Sequence, residues 1–278
     1  MQKTVLKMES ITKRFVAVTA LDNVSMELFE GEILAVVGEN GAGKSTLMKI
    51  LSGSYSAGSY EGTIEIHDSP VEFSTTRDAE HEGIEMIYQE ISLHTDLSVA
   101  ENIFLGNLPR RKLKAFVNRK SMIKLSAEAM ALVGLEVDVL EPVGRLSTSQ
   151  QQLVSIAKAL YRKPKVLVLD EPTSALTMSE TESLMGILKS LQDKGISCIY
   201  ISHKLDEVFE IADRVIVLRD GKVISTYSRE KIEANQIIED MVGRKIENMY
   251  PKTAIPPGEV LLEVENITIP SRVPSKYL

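Results

Sequence analysis

Residues 32–46 read EILAVVGENGAGKST. The opening EILAVV is almost wholly apolar, as a strand covered on both faces should be. The next eight residues, GENGAGKS from Gly38 to Ser45, fit the spacing G-x-x-x-x-G-K-[ST]. A helical pattern, LMKILSG, follows and stops at Gly53, which reads as its C-cap. Strand, glycine-rich turn and helix in this order make a cradle for phosphate. The glycines let the backbone bend so that successive N–H groups face an anion, and the helix start adds partial positive charge. Lys44 is placed to reach the β- and γ-phosphates of a nucleotide, and the Ser45 hydroxyl to ligate Mg²⁺. The expected nucleotide contacts therefore run over Gly38, Asn40, Gly41, Ala42, Gly43, Lys44, Ser45 and Thr46.

The flanking sequence gives this motif a sheet to sit on. KVLVLD (165–170), SCIYIS (197–202) and RVIVLRDG (214–221) read as three further buried strands. A helical stretch, SETESLMGILKSLQDKG (179–195), separates the first two. Strands alternating with helices predict a mostly parallel sheet. From about 98 to 163 the signal is helical: MIKLSAEAMALVGL (122–135) stops at Gly134, and SQQQLVSIAKALYRKP (149–164) ends before Pro164. Near the start, TVLKMESIT and LDNVSMELF alternate like half-buried antiparallel strands, and EGTIEIHDSPV (61–71) reads as another strand and turn. The expected fold class is α/β: a mostly parallel sheet carrying the phosphate loop, a small N-terminal antiparallel β subdomain, and an α-helical insertion subdomain at about 91–163.

In an open parallel sheet, ligands sit at the carboxyl ends of the strands. Asp170 ends one such strand and is expected to hold Mg²⁺ through a water. Glu171 follows it and can orient or deprotonate the water that attacks a γ-phosphate. His203, in IYISHKLDE, leaves the sheet at the same edge and is expected to touch the γ-phosphate. Gln89, in MIYQE, carries an amide that can ligate Mg²⁺ or touch that water.

Composition narrows the remaining classes. The chain has 278 residues, 26% of them charged, with a net charge of −7. That argues for a globular chain and against a basic surface for nucleic acid. Its single cysteine, Cys198, permits no internal disulfide and reads as a small buried hydrophobe. The longest apolar runs fall far short of the ~20 residues of a membrane helix, so work at a membrane would go through a partner. The run RRKLKAFVNRK (110–120) holds six Lys/Arg in eleven residues and reads first as a solvated face of the helical insertion.

At LSTSQQQLVSIAKAL (146–160), between the phosphate loop and VLVLDEPTSAL, the motif order resembles that of ATP-binding-cassette (ABC) transporter ATPases over about residues 3–243. The resemblance implies a P-loop NTPase core that binds ATP with Mg²⁺ and hydrolyses it. It implies that Phe15 stacks on the adenine. It also implies that Leu146–Gln150 is the signature loop, whose Ser147, Ser149 and Gln150 contact ATP held by a second cassette packed head-to-tail. Two positions depart from the general family pattern: Thr148 and Ser149 replace both glycines of LSGGQ, and Thr177 replaces the Asp of SALD. Both departures, with SVAENIFLGNLPRRK and MVGRKIENMYPK, resemble the branch that imports monosaccharides. That branch implies membrane permease subunits as partners, an extracytoplasmic sugar-binding protein acting indirectly, and a peripheral location on the cytoplasmic membrane face. Rival readings are a soluble ABC-type ATPase not coupled to transport and a regulatory ATP-binding cassette with little turnover.

Residues 261–268, LLEVENIT, repeat residues 5–12, VLKMESIT, with identity at Leu6/Leu262, Glu9/Glu265, Ile11/Ile267 and Thr12/Thr268. The expected organisation is one cassette over 1–243, a linker over 244–258, and over 259–278 the first strand of a second, incomplete cassette, as in the first half of a tandem protein.

Overall fold

The computed structural model of the chain describes residues 3–109, 117–244 and 262–266. Residues 1–245 form one compact unit and residues 246–278 another. Most of 244–258 and 259–278 lies outside the described residues, as does most of the basic run at 110–120.

The first unit holds two sheets. The smaller is antiparallel, in the order β2-β1-β4-β5. It consists of β1 (Thr4–Phe15), β2 (Val18–Phe29), β4 (Glu61–Ile66) and β5 (Ser69–Val71). The larger runs β10-β9-β3-β8-β7-β6. Its strands are β3 (Ile33–Val37), β6 (Ile84–Ile87), β7 (Val166–Asp170), β8 (Ser197–Ile201), β9 (Arg214–Arg219) and β10 (Lys222–Ser228). All its neighbours pair in parallel except the edge strand β10, which pairs antiparallel with β9.

Why the large sheet reads as continuous apolar runs is visible in its packing. Along β3, Ile33, Ala35 and Val37 face one core while Leu34 and Val36 face another. In β8, Cys198 and Tyr200 join the first core and Ile199 and Ile201 the second. With both faces covered, a polar residue at either parity would be stranded without water. The first core is closed by helices α3 (Val99–Phe104), α4 (Arg119–Leu132), α5 (Thr148–Tyr161) and α6 (Met178–Asp193). The second is closed by α1 (Lys44–Leu51), α2 (Thr76–Glu82) and the antiparallel sheet. Helices α7 (Leu205–Ile211) and α8 (Ala234–Val242) complete the α-helices among the described residues and pack on the first core.

The α/β expectation holds in both sheets and in the helical insertion. Strands β6 and β10 were not foreseen. IEMI is too short to show a period, and alternating KVISTYS follows β9 across a two-residue turn at Asp220 and Gly221. The stretch LLEVENIT, expected as a strand, differs: its described part, 262–266, forms no strand, and Leu262 and Val264 are exposed. Asn266 nevertheless has φ 53°, matching φ 56° at Ser10, the equivalent position where β1 bulges.

Candidate functional site

The phosphate loop bridges β3 and α1, and its shape depends on two glycines. A Cβ at Gly38 would sit 2.2 Å from the Leu218 carbonyl oxygen of β9. A Cβ at Gly43, which caps α1 at φ 104°, would sit 2.7 Å from the Ala20 oxygen. Any side chain at either position would push the loop off the sheet or off the β2 strand. The Lys44 ammonium is held inside the loop by the carbonyl oxygens of Gly38 at 2.8 Å and Glu39 at 3.1 Å. Burial depresses its pKa, against the pull of Glu171 and Asp170.

The loop forms the floor of a cleft of about 950 Å³. Asn40, Gly41, Gly43, Lys44, Ser45, Thr46, Gln89, Asp170, Glu171 and His203 line it, with Ala20, Glu39 and Met241. The reason is topological. β3, β7 and β8 are parallel neighbours, so the residues leaving their carboxyl ends converge. Asp170 is buried at the end of β7, and burial and then Glu171 raise its pKa, opposed by Lys44 and Lys49.

Glu171 stands between two partners. Gln89 Nε2 donates to its Oε2 at 3.0 Å, and His203 Nδ1 lies 3.0 Å from its Oε1. Its backbone has φ 47°, a left-handed conformation that costs a non-glycine residue roughly 1–3 kcal/mol. Its N–H donates to the Ile201 oxygen at 2.9 Å, which ties the turn to β8. The carboxylate is thus aimed into the cleft with both oxygens engaged.

Several expected residues lie apart from this cleft. Gly38 and Ala42 shape the loop without lining it. Phe15, at the tip of the β1–β2 hairpin, is 44% exposed and packs edge-on against Tyr55, with centroids 5.8 Å apart. Ser147, Ser149 and Gln150 are not among the lining residues either. Instead Ser147 caps α5: its Oγ accepts from Gln150 N at 3.2 Å, and Gln150 Oε1 accepts from Ser147 N at 3.0 Å. Thr148 and Ser149 therefore lie in the first turn of α5, away from the positive φ that would strain them. Thr177 caps α6 in the same way, with Glu180 as its reciprocal partner. Ser149 Oγ lies 3.0 Å from Ser147 Oγ. The S-x-x-Q and T-x-x-E spacings were a signal for these caps. Glu39 falls at an unspecified position of the loop pattern, and Ala20 and Met241 had no local signal. A larger groove, about 1160 Å³ between α2 and helices α3–α5, holds none of the expected site residues.

The sequence profile described as "ABC transporter" matches residues 21–174. The chain belongs to the ABC transporter family. Among curated relatives, this cassette is 48% identical over 269 residues to the xylose import ATP-binding protein XylG of Moorella thermoacetica, covering 97% of this chain and 53% of the relative. It is 45% identical over 271 residues to the L-arabinose transport ATP-binding protein AraG of Geobacillus stearothermophilus, at 97% and 52% coverage. It is 45% identical over 263 residues to the ribose import ATP-binding protein RbsA 2 of Rubrobacter xylanophilus, at 95% and 50% coverage. The chain spans about half the length of these relatives. Its fold matches a crystal structure of an ATP-binding cassette of an ABC transporter in its ADP conformation, with TM-score 0.72, 26% identity, and coverage of 87% of this chain and 99% of that one.

Proposed function

We propose that this cassette binds ATP with Mg²⁺ and hydrolyses it to drive monosaccharide import through partner membrane subunits. The carrying observation is the Glu171 carboxylate, fixed between Gln89 and His203 beside the phosphate loop. Lys44 and the loop N–H groups neutralise and orient the phosphates. Glu171 orients or deprotonates the attacking water, and His203 contacts the γ-phosphate. The cleft suits Mg²⁺, because the Ser45 hydroxyl, the Asp170 carboxylate and the Gln89 amide oxygen are hard donors. Among the described residues no three His, Cys, Asp or Glu converge as a cage, so nucleotide phosphates would complete the ion's shell. Bound there, Mg²⁺ would neutralise charge developing on those phosphates.

Phe15 stacks on the adenine, and Ser147, Ser149 and Gln150 serve ATP held by a second cassette packed head-to-tail. Their position away from this chain's own cleft supports that division of labour. The names of the relatives support the sugar branch. Among the described residues no helix is long and apolar enough to cross a membrane, so a peripheral place on permease subunits, with the sugar-binding protein acting through them, accounts for the coupling. The shared positive φ at Ser10 and Asn266 supports reading 244–258 as a linker and 259–278 as the opening of a second cassette.

Glu171→Gln is the test. Turnover should fall by about 10²–10⁴-fold, while ATP affinity stays within a few-fold of the parent chain. Wild-type hydrolysis in that variant would remove Glu171 from its role.

A further inference from the structure

Glu207 lies on α7, four residues after His203, with its side chain only 11% exposed. Its carboxylate accepts from Thr173 Oγ1 at 2.8 and 2.9 Å, from Tyr200 Oη at 2.7 Å and from Ser202 Oγ at 3.2 Å. Lys204 Nζ pairs with it at 3.2 Å. Thr173 and Ser202 are buried and Tyr200 fully so, which leaves their hydroxyls no water to turn to. Thr173 stands two residues after Glu171, and Ser202 stands directly before His203. One carboxylate therefore gathers donors from the turn after β7, from β8, and from the turn before α7.

We propose that Glu207 is a positioning residue that locks the Glu171 turn to the His203 turn and so sets the 3.0 Å contact between them. Its kinetic consequence rests on the ATPase reading; its structural consequence does not. Glu171 needs such a lock, because a left-handed backbone at a non-glycine residue persists only where its surroundings over-determine it. Lys204 Nζ closes the ring with a second bond, to the Thr173 oxygen at 3.3 Å. Every group facing Glu207 is a donor, which suits an ionised carboxylate that only accepts. Burial alone would raise its pKa, but the Tyr200 and Thr173 hydroxyls and the Lys204 ammonium outweigh that and hold it low.

Glu207→Gln keeps the volume and replaces one acceptor oxygen with an amide that cannot accept. In the full chain, kcat should fall about tenfold while the Kd for ATP stays within about twofold. The imidazole NMR signals of His203 should shift while those of His67, His81 and His94 stay in place. Tyr200→Phe, which removes one donor and spares the carboxylate, should move the same readouts in the same direction by less. Unmoved His203 signals in both variants overturn the lock whatever happens to the melting temperature, and so does an unchanged kcat in an active chain. If the parent chain hydrolyses no ATP and Glu171→Gln changes nothing, the ATPase reading fails on its own, and the His203 signals still decide for Glu207.

Discussion

Lys44 carries a charge in a place where charge is costly. It is 7% exposed, its ammonium rests on two carbonyl oxygens, and burial depresses its pKa. Removing that charge relieves its desolvation but leaves the Gly38 and Glu39 carbonyl oxygens without their donor, and the two effects oppose each other. Lys44→Met should therefore leave the nucleotide-free chain within about 1 kcal/mol of the parent, a change of no more than roughly 2–4 °C in melting temperature. ATP affinity should fall at least about tenfold with loss of the phosphate contact. Scanning calorimetry and nucleotide titration check both halves, and a destabilised variant that still binds ATP would contradict the account. At this scale the phosphate loop and the Asp170–Glu171 pair were legible because each is contiguous in sequence. Cys198 was legible too: it is buried in β8, and burial pushes its thiol up to about 12. Glu207 was not, since its four donors come from residues 173 to 204 and meet only in the fold.

Two helix starts explain what the sequence presented as anomalies. A family pattern of two glycines suggests a backbone need, yet Thr148 and Ser149 lie in the first turn behind the Ser147 N-cap, and Thr177, standing where the pattern has Asp, is itself an N-cap with Glu180 as its partner. Ser147→Ala and Thr177→Ala should each cost about 1 kcal/mol. In urea this appears as a lower midpoint with an unchanged slope. A loss well under that for both would mean that the caps are replaced by water. Element boundaries followed the expected pattern where apolar period and stop signals were strong, as in α4, α5 and α6. They were missed where the element was short, as in β6 and α7, because four to seven residues carry too little periodicity against a helix or loop alternative.

At the scale of the molecule, the six-stranded sheet separates two cores and gathers the site at one edge. The signature residues do not line that cleft, so a single cassette holds only part of the proposed machinery. On the proposed head-to-tail reading, specific ATPase activity of the isolated chain should rise with protein concentration. Steady-state assays across a hundredfold dilution series check this, and constant specific activity at high dilution would count against a shared site.

The sequence by itself determined the glycine-rich loop, the parallel sheet beneath it, and the residues at the strand ends that line the cleft. These are local: a strand buried on both faces must be apolar throughout, and a turn that wraps an anion needs glycine at fixed positions. Only the tertiary structure decided which groups hold one another. That Gln89 and His203 clasp Glu171, and that Glu207 bonds to both Thr173 and Ser202, depend on strand order. Strand order is set by which faces pack together, and no short stretch of chain contains that information.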